Sequence, residues 1–140
     1  MSLLKKFTPP ETYINCFINA PPLPYTYSKT LNKLLRECTF YIMNSSSRAG
    51  ITFHKDYILL EKEFEKLSLR TQTGIIAHEL IHVIQQDLWG WWGFMFKYIK
   101  EWVKSGFSYD KMRSFGIEKV AFDYQKEFLD NFFVLPDTRV

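Results

Sequence analysis

The run His78-Glu79-Leu80-Ile81-His82 constrains this chain more than any other stretch. Small and apolar residues (Gly74, Ile75, Ile76, Ala77) precede it in a helical pattern that predicts a helix over about residues 71–88. Thr71 or Thr73 is placed to cap that helix, and Gly90 to stop it. Side chains four apart on a helix project from one face about one turn from each other, so both imidazoles can reach one ion. Glu79 is turned by about 100° from His78, as 3.6 residues per turn requires. It can therefore reach the remaining coordination position without being a ligand, take a proton from metal-bound water and pass it to a leaving amine. Residue types and spacing together predict a zinc site with a carboxylate base beside it.

Two histidines leave such a site incomplete, because a catalytic zinc usually has three protein ligands and an open position. No histidine lies downstream, and His54 lies upstream in a predicted strand. A carboxylate from a later helix is the natural third donor. Glu118 stands near the start of a helix predicted to be capped by Ser114 and to run to about residue 132, with Ala121, Phe122, Phe128 and Leu129 turned inward. The small Ala121, on the same face as Glu118, would let this helix approach the histidine-bearing one closely. Asp110, Asp123 and Glu127 are the competing carboxylates.

The remainder reads as one α+β domain over residues 1–140, about four helices on a small hairpin or sheet. Five of the six prolines fall before residue 28, which predicts an extended lead-in over 1–27. A helix capped by Ser28 or Thr30 is expected to run to about residue 43, with the stripe Leu31, Leu34, Leu35, Cys38, Tyr41 and Ile42. Residues 51–54 and 57–60 read as two strands of a hairpin, and residues 61–70 as an ambiguous amphipathic stretch. A helix over about 91–105 is expected to bury Trp91, Phe94, Met95, Tyr98, Ile99, Trp102 and Val103, with Lys97, Lys100, Glu101 and Lys104 outward. The tail from 133 to 140 reads as extended.

A net charge of +3, with Lys and Arg dispersed among Asp and Glu, excludes a nucleic-acid footprint. The two cysteines, Cys16 and Cys38, make no disulfide framework and read as small buried hydrophobes, although a single bridge between them stays open. The most apolar run, residues 88–96, is far shorter than the roughly 20 residues that span a bilayer. It reads as a buried aromatic helix before an interfacial one. With no signal-peptide pattern at the N-terminus, a cytoplasmic protein is the expectation.

Several segments resemble the gluzincin-type zinc metallopeptidases, and more closely the minimal single-domain gluzincins and bacterial His-Glu-x-x-His domains related to them. They are Ile51-Thr-Phe, Tyr57-Ile-Leu-Leu, Ile76-Ala-His-Glu-Leu-Ile-His-Val-Ile-Gln85, Tyr98-Ile-Lys-Glu-Trp-Val-Lys-Ser-Gly-Phe107 and Ile117-Glu-Lys-Val-Ala-Phe122. The resemblance spans about residues 50–125. It implies a zincin-like fold with the motif on a central helix, a zinc cofactor, His78, His82 and Glu118 as ligands, and Glu79 as general base and acid. It also implies that the edge strand of the hairpin lies along a cleft and pairs with an extended peptide or protein substrate. The residues Arg113-Ser-Phe-Gly116 depart from the family pattern, in which a proline and a further acidic residue often occur. Tyr109 and Arg113 are the candidate oxyanion-stabilising electrophiles.

The expected function is therefore zinc-dependent hydrolysis of peptide bonds. Two alternatives accompany it: a zinc-bearing module that serves binding or assembly without catalysis, and a latent peptidase whose residues 131–140 occupy its own cleft.

Overall fold

A computed structural model describes residues 4–26, 29–44, 50–54 and 56–133, with only the backbone described for 50–54. The chain is α+β. Its described elements are β1 (Leu4–Phe7), α1 (Thr12–Phe17), α2 (Leu31–Glu37), β2 (Thr39–Met43), β3 (Gly50–His54), β4 (Tyr57–Leu60), α3 (Leu69–Lys104), α4 (Tyr109–Met112) and α5 (Gly116–Glu127). A π-helical turn, Phe128–Phe132, ends α5, and Phe133 N–H closes it by donating to Phe128 O at 2.7 Å.

The four strands form one sheet in the order β1-β2-β4-β3. β1 runs antiparallel to β2, β2 parallel to β4, and β3 antiparallel to β4, the last being the expected hairpin. Phe40, Ile42, Ile58 and Leu60 point from β2 and β4 into the core, alternating with more exposed neighbours. The outer strand β1 carries Lys5 and Lys6, charges that discourage pairing with another chain. The opposite edge, β3, packs beside α3.

Two expectations fail here. Residues 1–27 are more than an extended lead-in: they contain a strand of the sheet and the helix α1, and bury Phe7, Tyr13, Cys16 and Phe17. The helix expected to reach residue 43 stops at Glu37. Thr30 caps it through Lys33 N–H at 3.2 Å, as anticipated, but Cys38 turns extended (φ −94°, ψ 153°) and 39–43 form β2. Aromatic and branched residues at 39–42 suit a strand, and pairing with β1 and β4 on both sides decides the matter. Both cysteines are buried and unbridged.

α3 dominates the molecule. Ser68 rather than Thr71 or Thr73 caps it, accepting from Thr71 N–H at 3.2 Å. Residues 73–86 are buried without interruption, the mark of a helix surrounded on all sides. The fully buried Ile76, Leu80 and Ile81 each contribute about 1.5–3 kcal/mol against exposure. The sheet edge flanks this helix on one side and α5 on another. Close approach is set by small residues. Ala121 on α5 is fully buried, and a Cβ on Gly74 would stand 2.7 Å from Leu129. Gln72 fastens the start of α3, accepting from Tyr13 Oη at 2.6 Å and donating to Phe64 O, Glu65 O and Leu67 O.

At Gly90 the backbone leaves helical geometry (φ 74°, ψ 161°), and α3 continues as a second half over 91–104. The expected inward face of that half is not buried. Of Trp91, Phe94, Met95, Tyr98, Ile99, Trp102 and Val103, Phe94 alone is buried, and Ile99, Trp102 and Val103 are exposed. Among the described residues, no helix is long and apolar enough to cross a membrane.

Candidate metal centre

His78 and His82 lie on the buried first half of α3 with ring centroids 4.9 Å apart. Their Nε2 atoms meet at one oxygen. Glu118 Oε1, from the first turn of α5, lies 3.1 Å from His78 Nε2 and 2.7 Å from His82 Nε2. Glu79 is buried beside them, with Oε2 3.9 Å from His78 Nε2. The metal-capable donors of His78, Glu79 and His82 lie within 4.8 Å of one another. The structure thus brings together all four residues singled out by the motif. It leaves the competing carboxylates outside: Asp110, Asp123 and Glu127 are exposed, and Asp123 pairs with Lys119.

The far nitrogens of the two rings are engaged as well. His82 Nδ1 lies 2.8 Å from Gln85 Oε1, and Gln85 Nε2 donates to Ile117 O at 3.2 Å. Because that bond uses the nitrogen end of the amide, its oxygen faces the ring, and His82 must donate from Nδ1. His78 Nδ1 lies 3.1 Å from Gln125 Oε1. Both rings then turn Nε2 toward a carboxylate oxygen. With its proton on Nδ1, His82 would otherwise set a bare Nε2 lone pair against the Glu118 carboxylate oxygen at 2.7 Å. A cation there, proton or metal, resolves the conflict.

Without a metal, the Glu118 carboxylate favours a proton on His82. Burial is the largest influence on His82 and disfavours its charge, yet the hydrogen bond and charge of Glu118, with smaller help from Glu79 and Gln85, raise its pKa to about 9. Burial likewise disfavours the Glu118 carboxylate, but the two histidines outweigh it and hold the acid well below the usual range.

Two imidazole nitrogens and a carboxylate oxygen are donors that zinc takes. Each ring hydrogen-bonded to an amide oxygen through its other nitrogen is the orientation a metal-ligating histidine adopts. The residues present fit a zinc ion.

Holding Glu118 in place falls to residues the sequence reading did not single out. Phe115, at the N-cap position of α5, makes no side-chain cap bond. Glu101, from the second half of α3, supplies the cap instead: its Oε1 accepts from Ile117 N–H at 2.8 Å. Gly116 has φ +64°, and a Cβ there would collide with the Glu101 carboxylate. Ser114, the expected cap, donates to Lys111 O. Gln85 had a readable signal, since it lies three residues after His82 on the same helix. Glu101 had none, being sixteen residues from the amide it caps.

Aromatic rings close the centre. Phe122 stands 4.3 Å from His78 and Phe94 5.7 Å from His82, centroid to centroid. Tyr109 and Arg113 both gather at Phe122, Arg113 with its guanidinium 4.2 Å above the ring. His54 lies on β3, and its side chain is outside the described residues, as are residues 134–140 of the segment expected to block the cleft. Comparison with known proteins gives no matching family model, no matching curated protein and no matching solved structure, so the arrangement of side chains is what a function must be argued from.

Proposed function

We propose that His78, His82 and Glu118 hold a zinc ion and that the chain is a zinc-dependent peptidase of the gluzincin type. One observation carries the reading: both Nε2 atoms converge on Glu118 Oε1, with the Glu79 carboxylate buried alongside. Bound there, zinc would supply a Lewis acid able to lower the pKa of a water and polarise a carbonyl. Glu79 takes the proton from the attacking water and delivers it to the departing amine nitrogen, so that one carboxylate serves as base and then as acid. Its position on the helix makes this exchange short, one residue from His78 and three from His82. Gln85 and Gln125 keep the imidazoles turned so that their Nε2 atoms face inward. Phe94 and Phe122 restrict water around the rings, which strengthens each charge interaction among them. The sheet edge β3, packed beside α3, supports recognition of an extended peptide by strand addition.

The reading is tested by comparing wild type, Glu79→Gln and His78→Ala for zinc content and for cleavage of a denatured protein. Glu79→Gln is expected to retain zinc while cleavage falls by about 100-fold or more, and His78→Ala to lose both. Undiminished cleavage by Glu79→Gln would sink the assignment of the base. A zinc-loaded wild type that cleaves nothing in a broad peptide library would leave a zinc-bearing binding module in place of an enzyme.

A further inference from the structure

The second half of α3 presents an apolar stripe to solvent. Trp92, Phe96, Ile99 and Val103 are exposed, Trp92 at 79% and Phe96 at 71%. At about 100° per residue these four fall within roughly 60° of one another around the helix, with the buried Phe94 nearly opposite. The stripe therefore points away from the core. Phe107, 64% exposed and held at φ 63°, lies just past the helix end, edge-on to the exposed Trp102 at 5.2 Å. Patches of this kind on a small protein mark a surface that is covered in use.

The charges along its flank identify what covers it. Lys97, Lys100 and Lys104 are exposed and fall roughly 80–140° from Trp92, along one side of the stripe. The acid of this half-helix, Glu101, is turned back to cap α5. The outward surface of residues 91–104 is thus apolar and aromatic with a row of cations and no opposing carboxylate. A two-fold contact with a second copy would put the same patch on both sides, with no outward acid within residues 91–104 of either copy to meet the lysines.

We propose that residues 91–107 dock this protein onto an anionic lipid surface. The helix lies in the interface plane, its Trp and Phe rings reach the boundary between headgroups and acyl chains, and the lysines meet lipid phosphates. Fourteen helical residues extend about 21 Å, short of the roughly 30 Å hydrocarbon core, so the segment rests on the bilayer without crossing it. Gly90 sets the angle at which this half leaves the buried half. The inference stands apart from the metal centre and does not depend on zinc or on peptidase activity.

The test is co-sedimentation of the full chain with phosphatidylcholine vesicles, with and without phosphatidylglycerol, alongside sedimentation of the protein alone. Binding to the anionic vesicles is expected to exceed binding to the neutral ones by at least about tenfold and to weaken with added salt. Phe96→Glu is expected to abolish it with no loss of thermal midpoint, the side chain being exposed, and Lys97→Gln with Lys100→Gln to reduce it by about tenfold or more. Equal binding to both vesicle types, or Phe96→Glu binding as well as wild type, would overturn the proposal. So would a wild-type dimer that Phe96→Glu converts to monomer, which would make a second copy the occupant.

Discussion

The contact between His82 and Glu118 gives the metal-free protein a pH dependence of definite sign. The histidine pKa rises from 6.5 to about 9 on folding, so its contribution is fully present below about pH 6.5 and disappears as pH climbs toward 9. Across that window a chelator-treated sample is expected to lose stability, read as a falling urea midpoint. Glu118 is shifted the other way; its contribution is present above the ordinary carboxylate range and is lost on acidification. Zinc at the proposed site would compete with the His82 proton, so the stabilisation that added zinc confers should grow over the interval in which the metal-free protein weakens. A flat profile between pH 6.5 and 9 in chelator would show that the pair does not form. Gln85→Leu removes the acceptor at Nδ1, and zinc affinity should drop by about 10- to 100-fold in a chelator competition. At this scale the sequence was legible where spacing along one helix settles geometry, as for His78, Glu79 and His82. Glu118 was legible through its place in a motif. Glu101 and Gln125 were not, because their roles depend on how two helices meet.

Among the elements, the start of α5 is the most delicate. Its first turn carries Glu118, and its cap comes from a different element, with Gly116 bending the chain beneath the capping carboxylate. Glu101→Ala is expected to cost about 1 kcal/mol, as loss of an N-cap does. Gly116→Ala should cost more, about 1–3 kcal/mol, since it adds left-handed strain to a collision with Glu101. Both should also weaken zinc binding, measured by chelator competition, because the loosened turn carries Glu118, the proposed third ligand. Unchanged zinc affinity in both variants would separate the cap from the metal centre. The first half of α3, buried all round, was legible from its motif and the small and apolar residues before it, whereas periodicity identified the half-buried α5. It misled at 38–43, where Cys38, Tyr41 and Ile42 continue a helical stripe by coincidence, while Phe40 and Ile42 alternate inward from a strand. It misled again at 91–104. A one-sided apolar stripe is visible in sequence, but whether protein or solvent faces it is decided by the bend at Gly90.

For the molecule as a whole, the proline-rich beginning is structural. Phe7 closes β1 against β2 and packs edge-on to Phe64 at 5.4 Å, near Tyr13. Phe7→Ala is expected to cost about 3 kcal/mol or more in urea unfolding, whereas Lys5→Ala, which removes an exposed contact to Glu65, should leave the midpoint unchanged. Equal effects would return this segment to the extended lead-in expected over residues 1–27. The pairing of residues 4–7 with 40–43 could not be seen from local pattern, because the two segments lie more than thirty residues apart and β1 has little burial of its own.

The central claim is a zinc ion held by side chains from two helices, and zinc stoichiometry by elemental analysis tests it most directly. Protein purified without added metal should carry close to one zinc per chain in wild type, with far less in His82→Ala and Glu118→Ala. A wild-type ratio well below one that added zinc fails to raise, or a Glu118→Ala chain that keeps its full complement, would contradict the claim.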